Sequence, residues 1–371
     1  MSVIKPPVLQ LFTPGPVAVL PAVAEAQTWS MINHRGKAFQ SIYGPIRTTL
    51  AKLMACSEAH VMTGSGTLAI EANVQAALPD GGKVLVLSNG AFGDKLNEHC
   101  RLYYNAEKKG GDTRFIRLKD AQGWNLARAK EHIDQAAADG YKLLAMVHHE
   151  TSPGILNKIG EICPYAKRMG MLTLVDGTSA WPAYPFNQKQ MGVDFYSFAS
   201  QKALGMPSGL AVVGLCEDGI KAVDAAPRRT NFMNLKEYRK NAEKNEHPTT
   251  PAVTLLYSLE VALDLYEKEG PSAFEARHAK MAAHIRSRLS AMGLKLVIEP
   301  GFESSTVTAF YVQKNSDVSR ALEGTHKIKL GGGHADWKDT TLRFCNMGDV
   351  DMARIDKGLD ALEQVKKELG V

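Results

Sequence analysis

Along the first two thirds of the chain, short unbroken apolar runs alternate with longer stretches in which apolar residues recur every three or four positions. Residues 83–87 (KVLVL), 143–148 (LLAMVH), 172–175 (LTLV), 194–199 (DFYSFA) and 210–215 (LAVVGL) are bounded by Gly, Asp or Asn and predict buried strands. Between them, 68–78, 126–138 and 159–169 carry helical spacing. This alternation predicts an α/β fold, with a mainly parallel sheet covered by helices on both faces.

The pattern changes near residue 270. A long helix is predicted over 272–292, then short strands around 294–298 and 306–312. A final helix over 351–369 has Ile355, Leu359, Leu362 and Val365 on one stripe. We therefore expect an N-terminal arm (1–20), a large domain (21–269) and a small α+β domain (270–371). The segment 225–247 is polar and charged throughout, and reads as an exposed excursion or an inter-subunit surface.

Composition narrows the class. With 371 residues, 44% hydrophobic and 22% charged, the chain is an ordinary globular protein rather than a disordered or fibrous one. Lys and Arg (44) exceed Asp and Glu (39) by only five, and no basic run occurs, so nucleic acid is not an expected partner. Five scattered cysteines without a CxxC indicate neither a disulfide framework nor a zinc site, and suit a reducing compartment. The apolar N-terminus is interrupted by prolines at 6, 7, 14, 16 and 21, with Lys5 its sole positive charge, unlike a signal peptide. No apolar run of about 18 residues could span a bilayer. The expectation is a cytoplasmic protein, not bound to membrane.

Three places could carry chemistry. Thr63-Gly-Ser-Gly-Thr67 stands directly before a helical run, where glycines and free helix N–H groups suit a phosphate; a plain capped turn uses the same residues. The string also fits GxGxxA, but the strand that follows ends in Leu87-Ser-Asn-Gly90 without the carboxylate a dinucleotide site needs. Asp176 ends the strand 172–175, where α/β sheets place their ligands. It suits a metal, a protonated ring nitrogen or a turn cap. Lys202 follows the next strand; desolvation there would lower its pKa and make it a nucleophile, whereas a solvated lysine would be inert. Together, a phosphate cradle, a strand-end Asp and a strand-end Lys describe a site for pyridoxal 5′-phosphate.

At this point the chain resembles class V, fold-type I aminotransferases of the alanine/serine–glyoxylate (serine–pyruvate) group. The matching motifs run in order: TPGP (13–16), MINHR (31–35), TGSGT (63–67), NGAFG (89–93), HHETSPG (148–154), LVDGTSA (174–180), SQKAL (200–204), T-T-P (249–251) and LRFCNMG (342–348). The resemblance implies a large domain built on a seven-stranded, mainly parallel sheet. It implies Lys202 as Schiff-base lysine and proton shuttle, Asp176 as ring-nitrogen partner and Phe92 stacked on the ring. Thr151 falls at the ring's polar edge, and Ser65, Gly66, Thr67, Thr178 and Gln201 at cofactor positions. Thr249 would reach the neighbouring subunit's phosphate, implying a homodimer with shared active sites. Arg343 would clamp the substrate carboxylate, and Tyr43 is a candidate substrate-side contact. The implied reaction is ping-pong transfer of an amino group from alanine or serine to glyoxylate or pyruvate.

Departures from the group lie on the substrate side. Glu246 stands where relatives often have Tyr, so it is expected to turn away from a phosphate. His334 and Trp337 interrupt a usually plainer Gly-rich segment, and Phe344-Cys345-Asn346 replaces a commoner Ile-Gly pattern. His34-Arg35 could reach the site or serve structure. His148-His149-Glu150 looks metal-like, but neighbours on a strand point to opposite faces, and no metal is expected. Competing readings are a 2-aminoethylphosphonate aminotransferase, a lyase or cysteine desulfurase, and a non-catalytic assembly subunit. Gln201 before Lys202, where desulfurases usually carry His, counts against the second. Intact Lys202, Asp176 and Arg343 count against the third.

Overall fold

A computed structural model describes residues 7–105, 107, 110–119 and 121–371. The chain opens with β1 (Gln10–Phe12), α1 (Pro21–Ala26) and α2 (Lys37–Met54). It continues through β2 (Glu58–Thr63), α3 (Gly66–Ala77), β3 (Lys83–Ser88), α4 (Ala91–Tyr103) and β4 (Asp112–Arg117). Next come α5 (Leu126–Ala138), β5 (Leu143–Val147), the hairpin β6 (His149–Glu150) and β7 (Ile155–Leu156), α6 (Ile159–Arg168) and β8 (Leu172–Asp176). Then follow β9 (Phe195–Ala199), β10 (Leu210–Leu215), α7 (Glu217–Ala225), α8 (Leu235–Ala242) and α9 (Val253–Glu269). The remainder is α10 (Pro271–Ala291), β11 (Val307–Tyr311), α11 (Asn315–Ala321), β12 (Ile328–Gly332), β13 (Thr341–Cys345) and α12 (Met352–Leu369).

The large sheet has seven strands in the order β2-β10-β9-β8-β5-β3-β4, parallel except for β10, which runs antiparallel to both neighbours. Its strands β5, β9 and β10 are buried at every position, which is why they read as continuous apolar runs. The helix α3 is Ala-rich and buried around most of its circumference, so helix propensity rather than amphipathicity defines it. The final helix α12 is amphipathic, and the side chain that precedes it caps its first turn: Asp351 accepts from Arg354 N–H at 2.8 Å.

The small sheet has the order β1-β12-β13-β11. Its edge strand comes from the N-terminal arm: β1 pairs in parallel with β12, with Gln10 opposite Ile328, and Phe12 packs on Phe344 with ring centroids 4.5 Å apart. The chain then crosses back, with Leu20 N–H donating to Gly205 O and Ser258 Oγ on α9 donating to Val23 O. The arm thus spans both sheets.

The strands at 83–88, 143–147, 172–176, 195–199 and 210–215 match the apolar runs. The stretch 294–298 does not form a strand; it makes a single bridge, Leu296 to Phe310. Two outer strands escape the pattern because they are polar: β4 (DTRFIR) is half-exposed at the edge, and β2 carries Glu58 and His60. The polar segment 225–247 contains α8, whose Leu235 and Tyr238 are buried, so its apolar side is narrow rather than missing.

Candidate active site

The carboxyl ends of β8 and β9, the N-terminus of α3 and the N-terminal arm converge on Lys202. A tight turn after β9 holds this residue: Ser200 Oγ donates to Pro207 O at 2.7 Å, and Gly205 N–H donates to Lys202 O at 2.9 Å. Lys202 Nζ donates to Pro14 O at 2.7 Å. Burial pushes the ammonium down to about 8; Cys345 and Asp176 oppose the fall, while Arg343 adds to it. An ordinary lysine sits near 10.4. Gly15 lies directly against this side chain, at φ +126°, and a Cβ there would stand 2.7 Å from Lys202 Cδ and Nζ. The TPGP motif therefore contributes Pro14 and Gly15 to the lysine's surroundings, roles that family likeness alone did not assign.

Asp176 is buried at the end of β8, and its Oδ1 accepts from Thr178 N–H at 2.8 Å. Burial raises its carboxyl, while Thr178 and the charges of Lys202 and His99 hold it down. A buried carboxylate of this kind stabilises a cationic partner. Thr178 faces α3: a Cβ on Gly66 would lie 2.8–2.9 Å from its side chain. The first helical amides of α3 have no intrahelical acceptor. Thr178 Oγ1 and Gln201 Oε1 are buried without partners among the described residues. A helix N-terminus beside orphaned polar atoms fits a bound phosphate. Of the other positions there, Thr67 is half-buried and Ser65 is exposed, with no side-chain bond to the helix it precedes.

Phe92 is placed by Glu150. This fully buried carboxylate accepts from Phe92 N–H at 3.1 Å and Gly93 N–H at 3.0 Å through Oε2. Through Oε1 it accepts from Ser152 Oγ at 2.6 Å and Ser152 N–H at 3.1 Å. Glu150 thus caps α4 and fixes the ring that α4 presents, with burial raising its carboxyl and the Ser152 and Gly93 hydrogen bonds opposing the rise. The adjacent histidines are committed elsewhere: His148 Nδ1 meets Tyr196 Oη at 3.1 Å, and His149 Nδ1 meets Ser179 O at 3.0 Å. Among the described residues, no group of three His, Cys, Asp or Glu could hold a metal. Period-two alternation foretells the split of the histidines; nothing in the spacing foretells that Glu150 caps a helix about sixty residues upstream.

On the opposite wall stands Arg343, buried on β13. Its Nε donates to Gly332 O at 2.9 Å and its Nη1 to Thr151 O at 3.0 Å, so Thr151 meets the site through its carbonyl. Arg343 pairs with no carboxylate among the described residues. A buried guanidinium oriented by two carbonyls, with no ion-pair partner among the described residues, is suited to an anion. Cys345 shares its strand face, while Leu342 and Phe344 turn into the core beneath the small sheet. Burial lifts the Cys345 thiol to about 12, opposite to what a nucleophilic cysteine needs.

Other expected contacts lie outside this cluster. Tyr43 is a core residue rather than a substrate-side one: it is buried, packed on Phe39 at 5.3 Å, and its hydroxyl reaches Val61 O at 3.4 Å. Thr249 Oγ1 meets His247 Nδ1 at 3.2 Å and does not reach the Lys202 cluster within one chain. Glu246 Oε1 accepts from Gln40 Nε2 at 3.2 Å. Arg35 Nη1 donates to His247 O at 3.4 Å, a structural role. Trp337 is buried beside Phe302 in a satellite cluster.

Residues 22–347 match the family described as Aminotransferase class-V. An uncharacterized aminotransferase of Methanocaldococcus jannaschii is 31% identical, over 97% of this chain and 93% of its own. An L-aspartate–glyoxylate aminotransferase of Paracoccus denitrificans is 27% identical, over 97% and 92%. A serine–glyoxylate aminotransferase of Arabidopsis thaliana is also 27% identical, over 97% and 90%. The crystal structure of an alanine–glyoxylate aminotransferase from Nostoc sp. superposes with a TM-score of 0.91 at 26% identity, covering 98% of this chain and 97% of that one. With the lysine, the strand-end aspartate and the unpaired arginine in one cleft, this chain belongs to the class V aminotransferases, and is a pyridoxal phosphate-dependent transaminase of fold type I.

Proposed function

We propose that this transaminase moves the amino group of a small amino acid, alanine or serine, to glyoxylate or pyruvate. The observation that carries the reading is the facing pair of Lys202, an amine held near 8, and Arg343, a buried guanidinium without a carboxylate partner. Arg343 takes the donor's α-carboxylate and so fixes which bonds at Cα face Lys202. Lys202, unprotonated, removes the Cα proton and later returns it to the acceptor's carbon. Asp176 holds a proton on the cofactor's ring nitrogen, and the amino end of α3 with Thr178 holds its phosphate. Pyridoxal phosphate, when bound, supplies the electron sink that makes the Cα proton removable.

A small donor follows from the charges along the mouth. The Arg117 guanidinium is already neutralised by Asp94 and Asp336, so it is not free to take an acidic side chain. Three of the relatives are named for glyoxylate, with aspartate, serine or alanine as its partner, which supports the acceptor more firmly than the donor. A homodimer with shared sites belongs to the proposal. Exposed Trp29, Met31 and Phe232 are apolar surface that a second copy would cover. No described helix is long and apolar enough to cross a membrane, and all five cysteines are unpaired, in keeping with a reducing compartment such as the cytoplasm.

The test is the visible absorption of the purified holoenzyme with each donor added singly, without acceptor. L-Alanine or L-serine should convert the cofactor band to that of its amine form, and glyoxylate or pyruvate should restore it. A band that responds to 2-aminoethylphosphonate or L-aspartate alone would overturn the donor assignment. Light scattering should report a mass of two chains; a monomer would remove the shared site.

A further inference from the structure

The β12–β13 loop, residues 333–340, is held at its middle by two adjacent residues, Asp336 and Trp337. Trp337 is buried with Ile155, Val297 and Phe302, which anchors the loop to a satellite core. Asp336 Oδ2 pairs with Arg117 Nη2 at 2.6 Å, and Arg117 Nε donates to both oxygens of Asp94, at 2.9 and 3.0 Å. Asp94 is in the first turn of α4, two residues beyond Phe92, and also accepts from Ser88 Oγ at 2.7 Å. A carboxylate–guanidinium–carboxylate clasp therefore ties a small-sheet loop to the helix that presents Phe92. Exposed ion pairs add little stability singly, but one guanidinium bound to two carboxylates through different nitrogens restricts where both can sit.

What the clasp positions is His334. Its ring lies 5.6 Å from that of Phe92, inclined at 38°, at an exposed place where the charges of Arg343 and Lys95 act on it. The backbone beside it is strained at Ala335, which has φ +48°, and tightly packed at Gly333, where a Cβ would collide with the Trp337 carbonyl. Such strain persists where surrounding contacts over-determine it, and it gathers at functional sites. Desolvation of the ring, then the positive charges of Arg343 and Lys95, push the imidazole's pKa below its ordinary value. A neutral imidazole has one donor and one acceptor nitrogen, which matches a hydroxyl and gives nothing to a methyl group.

We propose that His334 is the residue that selects the amino donor, by hydrogen-bonding a hydroxyl on the donor's side chain, and that the Asp336–Arg117–Asp94 clasp is its positioning device. This rests on the small-donor reading and sharpens it to a serine-like substrate. The test compares wild type with His334→Leu, His334→Gln and Asp336→Asn holoenzymes. Binding is read from the cofactor's absorbance, using 2-methylserine and 2-aminoisobutyrate, which lack a Cα proton and differ by one hydroxyl. Turnover of L-serine and L-alanine with glyoxylate is measured in parallel.

One net hydrogen bond is about a five- to tenfold preference. Wild type should favour 2-methylserine by that factor. His334→Leu should erase the preference by weakening that ligand alone, with the KM for serine rising and kcat holding. His334→Gln should keep most of the preference, and Asp336→Asn should keep about half. Equal weakening of both ligands, an unchanged ratio in His334→Leu, or no preference in wild type would each overturn the proposal. Failure of the small-donor reading is visible separately, as wild type that turns over neither L-serine nor L-alanine; the binding ratio still decides the role of His334.

Discussion

The two walls of the cleft are built on different principles. The cofactor wall is made at the ends of buried strands: Asp176 and the Lys202 turn are fixed by main-chain hydrogen bonds, and Glu150 caps α4 from a fully buried position. The donor wall combines one buried strand residue, Arg343, with a loop held by partly exposed ion pairs and strained backbone. A sheet core tolerates little displacement, whereas a clasped loop can change its side chains without disturbing the fold. On the proposed reading, chemistry is anchored where the fold is stiffest, and choice of donor where it is most easily altered.

The sharpest way to break this division is Lys202→Ala. If proton removal resides in this side chain, donor turnover should fall by about a thousandfold or more, the range that a positioned general base contributes. Thermal stability should hold or rise, because the variant no longer buries an amine. A rate within about tenfold of wild type would place the base elsewhere. Next in size is Arg343→Lys on the donor wall. A lysine keeps the charge but loses the fork aimed by Gly332 and Thr151, which should cost about thirtyfold to a hundredfold in kcat/KM. The cofactor's absorbance should be unchanged. A shifted cofactor band would show that the walls are not separable.

A pH experiment probes the cofactor wall alone. With Lys202 held near 8, cofactor-free protein presents mostly ammonium below that pH, without the lone pair needed to attack an aldehyde. Uptake of pyridoxal phosphate should therefore rise about tenfold per pH unit up to about 8 and level off above it. An ordinary lysine would keep rising to beyond about 10. Stopped-flow absorbance from about pH 6.5 to about 9.5 spans both cases. A rise continuing to the top of that range would mean that burial does not depress this amine.

The same division explains how much of the molecule is legible in its sequence. The cofactor wall is legible because its residues close continuous apolar runs, and a charged residue at the end of such a run stands out. Asp176 and Lys202 are both of that kind. Arg343 can be placed only by likeness to relatives, since a single arginine within a short strand has no spacing of its own. The clasp is illegible: Asp94, Arg117 and Asp336 are far apart in sequence, and each looks like an ordinary surface charge. Glu150 is disguised by its histidine neighbours, because a helix cap supplied across the fold leaves no local spacing. The outer strands β2 and β4 are hidden for a related reason, since edge positions carry polar residues that break the apolar run.

Tyr43 gives the smallest effect and the cleanest check on where the donor wall ends. The sequence makes it a candidate substrate-side contact, yet the ring is buried where α2 packs on β2, and burial pushes its hydroxyl well above the usual phenol range. Its hydrogen bond to Val61 O is long at 3.4 Å. Removing the hydroxyl while keeping the ring should therefore cost less than about 1 kcal/mol of stability. Tyr43→Phe should leave kcat and KM within about twofold for every donor, because the hydroxyl's contact is with the β2 backbone at Val61. A rise in KM confined to the donor, without loss of stability, would extend the donor wall to α2 and bring the tyrosine back into the site.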